Sequence, residues 1–313
     1  MRAANLTVVV CCNKNDFFFA RICIASIRYY YPDIDIEMVK DNGNGAFNTL
    51  ALQKYFKVKI VDIGISKLGW SAAKFQYLYR MPKGKKVLLM DSDIVFAGPF
   101  LERMETLFST NDYVVNLEFQ TDPYALWVKE IYFDVKTIEN LYPDYTYPGY
   151  FFNAGQIFVT VGAIDKHELD KYFDRHHFPF WTNTAIFPLV DQSVYNYLLP
   201  SLAQKKKLKL ATASYMLWSK SDMVKNLDIK KIADKSFDAG LIHWAGDSRT
   251  PYLNKMTRSD ILIFFEDYYY QRIPWGFFEQ GIGKLKSFVH FIFKRLYYQS
   301  KKIFFNTFKY NVG

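Results

Sequence analysis

Apolar and polar positions fall into regular blocks along the first hundred residues. "LTVVVCC", from Leu6 to Cys12, is an unbroken apolar run rich in β-branched side chains, the pattern of a strand covered on both faces. "FFFARICIASIRYYYP" repeats apolar residues at helical spacing and is stopped by Pro32. "IDIEMVK" is a second strand, closed by the turn "DNGNG". "VKIVDI", a helix over "GWSAAKFQYLYRMP" and the strand "KKVLLM" continue the alternation. Strand, helix and strand at this spacing predict an α/β fold with a mixed, mainly parallel central sheet between helical layers. Residues Glu118 to Pro148, rich in Tyr, Asp and Pro, read as an irregular excursion before "GYFFNAGQIFVTV". A helix follows around "LVDQSVYNYLL", and "GLIHWAG" reads as a late strand entering a turn.

The 313 residues, half of them hydrophobic and 19% aromatic, are enough for a large core. There is no fixed-period repeat or low-complexity tract. The uncharged stretch Phe178 to Val190 has 13 residues and includes Thr182, Asn183 and Thr184, too short and too polar to cross a bilayer. The N-terminus runs directly into the first strand, so no secretory signal is expected. Cys11, Cys12 and Cys23 are odd in number and lie in apolar segments, which fits buried thiols in a cytoplasmic protein.

Charge divides the chain. The net charge is +9, and after Glu279 there is no acidic residue, while Lys284, Lys286, Lys294, Arg295, Lys301, Lys302 and Lys309 supply seven positive charges. Subtracting those seven leaves +2 for residues 1–279. The reading is a nearly neutral body, residues 1–270, with a basic aromatic tail, residues 271–313.

The strand "KVLLM" ends in "DSD", so two carboxylates, Asp91 and Asp93, sit where open α/β sheets bind ligands, beyond the carboxyl ends of strands. A carboxylate withdrawn from water needs a cation or a set of donors. Three readings fit the pair: an ordinary strand-end turn, a phosphatase of the haloacid-dehalogenase type with Asp91 as nucleophile, or a divalent-ion site serving a nucleotide-sugar transferase. Downstream, "LIHWAGDSRTPY" places His243 and Arg249 around Gly246 at the exit of a strand. That grouping offers an imidazole, a glycine turn through which amides approach an anion, and a guanidinium able to fork onto phosphate.

With these segments together, the chain resembles the retaining glycosyltransferases of family 8, which include glycogenin and the bacterial lipooligosaccharide galactosyltransferases. The resemblance runs from about residue 6 to residue 253. "VVVCCNKNDFFFARICIASIRYYYPD" resembles the family's first strand, uridine loop and helix. "SAAKFQYLYRMPKGKKVLLMDSDIVFAGPF" resembles its donor and metal segment. "YFFNAG" and "DQSVYN" resemble its sugar-recognition and catalytic blocks, and "HWAGDSRTPY" its closing H-x-x-G-x-x-K-P-W motif.

The resemblance implies a single GT-A-type nucleotide-sugar-binding domain. It implies Asp91, Asp93 and His243 as ligands of Mn²⁺ or Mg²⁺, with Ser92 between the two carboxylates in the donor site. Asn13 and Asn15 would lie against the uridine, and Lys74 near the donor's sugar or phosphate. Asn153 and Ala154 would frame the sugar, Asp191 and Gln192 would lie beneath the anomeric carbon, and Gly246 and Arg249 would hold the diphosphate. The implied reaction is transfer, with retention, of glucose or galactose from a UDP-sugar to a glycan or lipid-linked acceptor. Four positions depart from the family pattern: Asp16 stands where a ring often stacks on uracil, leaving Phe17 as the substitute; Arg249 replaces a lysine; Thr250 is an extra residue before Pro251; and Tyr252 stands where the motif has Trp. Two plainer readings stand beside these roles. Lys74 serves as a solvated helix residue in one, and Asp191 as a helix N-cap in the other.

On a helical wheel Leu285, Phe288, Val289, Ile292, Leu296 and Ile303 form one stripe, with basic residues around the rest. A terminal helix packed on the body would show this pattern, as would one lying in the headgroups of an anionic membrane. The surplus of Phe and Tyr and the loss of all acids favour the membrane. The expected location is therefore peripheral, on the inner face of the cytoplasmic membrane. A scaffold that binds without catalysis is the non-enzymatic alternative. The body shows no basic surface that would recognise nucleic acid.

Overall fold

β1 (Leu6–Asn13) alternates its side chains between two cores: Val8 and Val10 join one, and Val9 and Cys11 the other. That two-sided burial is why the strand is apolar at successive positions. The computed structural model describes residues 6–64, 69–118, 122–174, 181–238, 240–246, 250–289 and 291–293. β2 (Asp35–Asp41), β3 (Val58–Asp62) and β4 (Lys86–Asp91) extend the sheet in parallel. β5 (Ile94–Phe96) leaves it, whereas β6 (Tyr113–Leu117), β7 (Phe152–Thr160) and β8 (Leu210–Ala213) complete the order β3-β2-β1-β4-β7-β6-β8. Only β7 runs against its neighbours among these strands. The sheet is thus mixed and mainly parallel, as the sequence predicts.

β9 (Met216–Trp218) and β10 (Leu241–His243) join β5 in a small second sheet of order β5-β10-β9. The chain therefore passes from one sheet to the other through a turn at Ser92-Asp93. Asp91 and Asp93 lie at the junction of two sheets, which accounts for polar residues ending an apolar strand.

α1 (Phe17–Tyr30), α2 (Leu50–Phe56), α3 (Gly69–Arg80) and α4 (Leu101–Thr110) follow the early strands. The excursion anticipated over 118–148 is not wholly irregular. It contains α5 (Leu126–Ile131) and α6 (Val135–Leu141), the latter capped by Asp134, whose side chain accepts from the Thr137 amide. α7 (Lys166–Asp170), α8 (Val190–Gln204), α9 (Asp222–Lys225), α10 (Ile229–Ala233) and α11 (Ser259–Tyr270) follow along the chain. α11 packs on α1, with the rings of Phe264, Phe265 and Tyr268 around Tyr29. Cys11, Cys12 and Cys23 are buried free thiols.

The backbone is helical again over 276–289 and 291–293. Gln280 Nε2 donates to Asp267 Oδ1 at 2.5 Å, and the Phe288 and Phe291 rings meet Tyr252 at centroid distances of 5.7 and 5.3 Å. Phe288 makes that ring contact while staying exposed. Phe278, Ile282, Leu285 and Val289, spaced for one helical face, are exposed as well, as are Trp275 and Phe277. Leu296 and Ile303 lie outside the described residues. No helix among the described residues is long and apolar enough to cross a membrane.

Candidate active site

Parallel pairing of β1 with β4 sets Cys11 opposite Asp91, so Asn13 projects two residues further along the same edge. On the other flank β4 pairs with β7, whose reversed direction brings its first residues, Asn153 and Gly155, to that edge. Ile94 pairs with His243 across the small sheet, and this register carries the imidazole back to the Ser92-Asp93 turn. The result is a cleft of about 250 Å³ lined by Asn13, Asp16, Lys74, Asp91, Ser92 and Asp93 from one half, with Asn153, Gly155, Asp191, Gln192, His243 and Gly246 from the other.

Asp91, Asp93 and His243 form one group whose ligand atoms all lie within 4.8 Å of one another. His243 Nε2 is 3.3 Å from Asp93 Oδ1, and both side chains are buried. The imidazole is stacked on Trp218 at 5.1 Å, and its Nδ1 is buried with no hydrogen-bond partner. A Cβ on Gly155 would come within 2.6 Å of His243 Cε1 and 3.1 Å of Asp91 Oδ2, so only glycine keeps this wall clear. Two carboxylates and an imidazole around a space that a methyl group would fill suit a divalent cation that prefers oxygen and nitrogen donors. The residues fit the implied metal.

Lys74 is not a solvated helix residue. Its side chain is 1% exposed, and Nζ touches Asp91 Oδ1 at 2.9 Å, Asp191 Oδ2 at 3.1 Å and the Ala154 carbonyl at 2.8 Å. Burial alone would lower its pKa, but Asp191 and Asp91 together hold it above the ordinary lysine value. Burial pushes the Asp91 carboxyl up to about 6, with Lys74 opposing the rise and Asp93 adding to it. Asp191 is likewise raised by burial, against the pull of Lys74. Burial also pushes the Cys11 thiol well up, which makes it a quiet part of the wall.

Asp191 is not the N-cap of α8. Leu189 holds that position, and Asp191 lies in the first turn, 2% exposed and committed to Lys74. Gln192 lines the cleft, but its carboxamide is tied to β7: Oε1 accepts from the Ala154 amide at 2.7 Å and Nε2 donates to the Phe152 carbonyl at 2.5 Å. Ala154 is consequently held on both its amide and its carbonyl, behind the wall rather than on it.

The first loop departs further from expectation. Asn13 lines the cleft, while Asn15 is exposed and meets it only through its amide, which donates to Asn13 Oδ1 at 2.8 Å. Phe17 does not substitute for a ring in the cleft; it packs on Phe47 at 4.9 Å and under the Arg21 guanidinium. Arg249 lies outside the described residues. Gly246, with φ +74°, faces open space at the rim.

Cys11, Gly155, Leu189 and Ala245 also line the cleft without having been singled out from sequence. The glycine of "FFNAGQ" was the readable signal, since glycine inside a strand marks a close approach. Glu118, beyond β6, is another carboxylate near the site. The Tyr132 hydroxyl donates to Oε2, Oε1 is buried without a partner, and burial raises its pKa while Tyr132 and His243 lower it.

Topology and site together define the GT-A glycosyltransferase fold: a mainly parallel sheet, a second small sheet, and a DxD turn at their junction. No protein-family model and no curated protein sequence matches this chain. Solved structures do. The galactosyltransferase LgtC, crystallised with donor and acceptor sugar analogues, superposes with a TM-score of 0.54 at 13% identity over 86% of this chain and 98% of its own. An active-site glutamine-to-glutamate variant of LgtC gives 0.53 at 13% identity, over 83% of this chain and 95% of that one. The bifunctional glycosyltransferase WbbM gives 0.54 at 14% identity, over 87% of this chain and 50% of that one. The likeness is one of fold.

Proposed function

We propose that this protein is a metal-dependent retaining glycosyltransferase that moves glucose or galactose from a UDP-sugar to a glycan or lipid-linked acceptor, in the assembly of bacterial surface polysaccharide or lipopolysaccharide. The observation that carries the reading is the meeting of the Asp91, Asp93 and His243 group with the buried Lys74–Asp191 pair in one cleft. A divalent ion held by the triad would supply Lewis-acid neutralisation of a donor diphosphate.

The order of the sheet suits a donor laid along its edge. β1, β4 and β7 are adjacent, with strands about 5 Å apart, so Asn13, Asp91 and Asn153 span roughly 10 Å along the edge. A nucleotide sugar laid along it puts its base by Asn13, its diphosphate by Asp91 and its hexose against Asn153 and α8. Asp191 then faces the reacting carbon as a fixed negative charge. Because Lys74 already holds one of its oxygens, Asp191 is better suited to stabilising positive charge at that carbon than to forming a bond with it. Retention follows if the acceptor hydroxyl attacks from the face the diphosphate leaves, and the departing phosphate oxygen takes the hydroxyl proton. Glu118 is suited to meeting an acceptor hydroxyl from the β6 side. The exposed apolar side chains of helical residues 276–289, in a segment of the sequence rich in lysine and free of acids, fit an anionic leaflet, and thus a peripheral place on the inner face of the cytoplasmic membrane.

The test is UDP release from a panel of UDP-sugars with Mn²⁺ and varied acceptors. Turnover should vanish on chelation and in Asp93→Ala. A folded, metal-loaded protein that turns over no nucleotide sugar in the panel would defeat the reading.

A further inference from the structure

The pairing of β4 with β7 runs from Lys86 opposite Thr160 to Met90 opposite Gln156. Past that point β4 turns off at Ser92-Asp93 toward the small sheet, while β7 continues to Phe152. The end of β7 that carries Asn153 and Gly155 into the cleft thus outruns its β4 partner. Alternate residues of a strand direct their N–H and C=O groups to the same flank, here those of Phe152 and Ala154. Side chains meet all four groups. Asn196 Oδ1 accepts from the Phe152 amide at 2.9 Å, and Asn196 Nδ2 donates to the Phe152 carbonyl at 2.8 Å. Gln192, one turn earlier on α8, donates to the same carbonyl and accepts from the Ala154 amide. Lys74 closes the row on the Ala154 carbonyl. Asn196 Nδ2 also donates to the Gln192 carbonyl at 2.8 Å, which holds the carboxamide in its plane. A side-chain amide that gives to and takes from one backbone residue does the work of a partner strand. On the β6 flank, Val115 pairs with Ile157 and Asn116 with Asn153, so Ala154, Gly155 and Gln156 bulge from β7. Such bulges re-aim side chains beside active sites.

Resting on the nucleotide-sugar reading above, we propose that Asn196 is a positioning residue for the donor's hexose. It is 2% exposed and is not among the residues lining the cleft, so it acts through the strand that it holds. Pinning Phe152 fixes the bulged end of β7, and with it the place at which the Asn153 side chain meets the sugar. Asn153 Oδ1 accepts from the Gly155 amide at 2.8 Å, which ties that carboxamide to the same backbone. Asn13 and Asp91 stand on β1 and β4, whose parallel pairing owes nothing to α8. Nucleotide and hexose therefore depend on different supports, strand pairing for the first and a helix side chain for the second.

The experiment is calorimetric binding of UDP, UDP-glucose and UDP-galactose to the full chain with Mn²⁺, in the unaltered protein and two variants. Asn196→Asp keeps the size and the acceptor for the Phe152 amide, but turns an oxygen toward two carbonyls. Asn196→Ala removes all three bonds without adding charge, and serves if the first variant does not fold. The UDP-hexose that binds the unaltered protein more tightly should lose about tenfold in affinity, the scale of one hydrogen bond, while UDP stays within about threefold. Leu202→Ala, a buried apolar truncation further along α8, should lower the melting temperature yet leave the ratio of the two affinities unchanged. An unchanged ratio in a folded Asn196 variant, or the same shift in Leu202→Ala, would overturn the assignment. If neither UDP nor a UDP-hexose binds the unaltered protein with Mn²⁺, the nucleotide-sugar reading fails and takes the assignment with it.

Discussion

Lys74 and Asp191, 117 residues apart in the chain, meet as a buried ion pair with Nζ 3.1 Å from Oδ2. Asp91 shares the same ammonium at 2.9 Å, so one cation balances two carboxylates drawn from β4 and α8. Replacing it with Lys74→Met leaves both negative charges in a desolvated site. The expected loss is roughly 3 kcal/mol or more of folding stability, read from urea unfolding. Adding Asp191→Asn to Lys74→Met should restore part of that loss, which separates charge imbalance from lost packing. Strictly additive losses in the two variants would show that the pair is energetically uncoupled.

Gly155→Ala tests the metal space directly. The added methyl would press on His243 Cε1, Asn153 Oδ1 and Asp91 Oδ2, the first two at 2.6 Å. Mn²⁺ affinity should fall by about tenfold or more with the far-UV circular dichroism unchanged, since a shift of a few tenths of an ångström in a ligand set is costly. Unaltered affinity would place the ion elsewhere.

Mn²⁺ itself should stabilise the fold. At a hundred times its dissociation constant, a ligand of the native state adds about 2.7 kcal/mol, visible as a rise in melting temperature. His243→Ala and Asp93→Asn should each abolish that rise, whereas a substitution at exposed Asn15 should not.

The helical backbone over 276–289 and 291–293 predicts a division of labour. A chain ending after Gln280 keeps the Gln280–Asp267 bond but loses Phe288, Phe291 and all seven terminal cations. It should hydrolyse UDP-sugar at close to the full-length rate yet fail to sediment with anionic vesicles. Salt should weaken sedimentation of the full-length protein, because exposed charges are screened over about 10 Å at 0.1 M. Vesicle binding that survives truncation would make this helix a structural element only.

The sequence made the sheet's first half and most of the site legible because both are local signals. β1, α1 and β4 carry long apolar runs, and Asp91, Asp93 and His243 fall where strands end. β8 and β9 are only four and three residues long, too short for any period to register. Lys74 was legible as a candidate but not as a buried cation, since its partners come from β7 and α8. Phe17 was misread for a related reason: its contact is Phe47, thirty residues on, and no local pattern reports which face of a helix start turns inward. The locking of Gln192 onto β7 is equally long-range, and nothing in "DQSVYN" announces it.

The reversal of β7 has an evolutionary consequence. In a purely parallel sheet every strand would deliver its last residues to the binding edge, and a connection that starts and finishes there would be rare. Here β6 ends at that edge and β7 begins at it, so the segment between them, residues 118–151, leaves and returns on the side of the cleft. Its length can change at little entropic cost, because closing a loop twice as long adds only about 0.6 kcal/mol. Strand order and the donor half can remain untouched meanwhile. The sheet edge that carries the cleft and the segment beside it can thus be altered independently of one another.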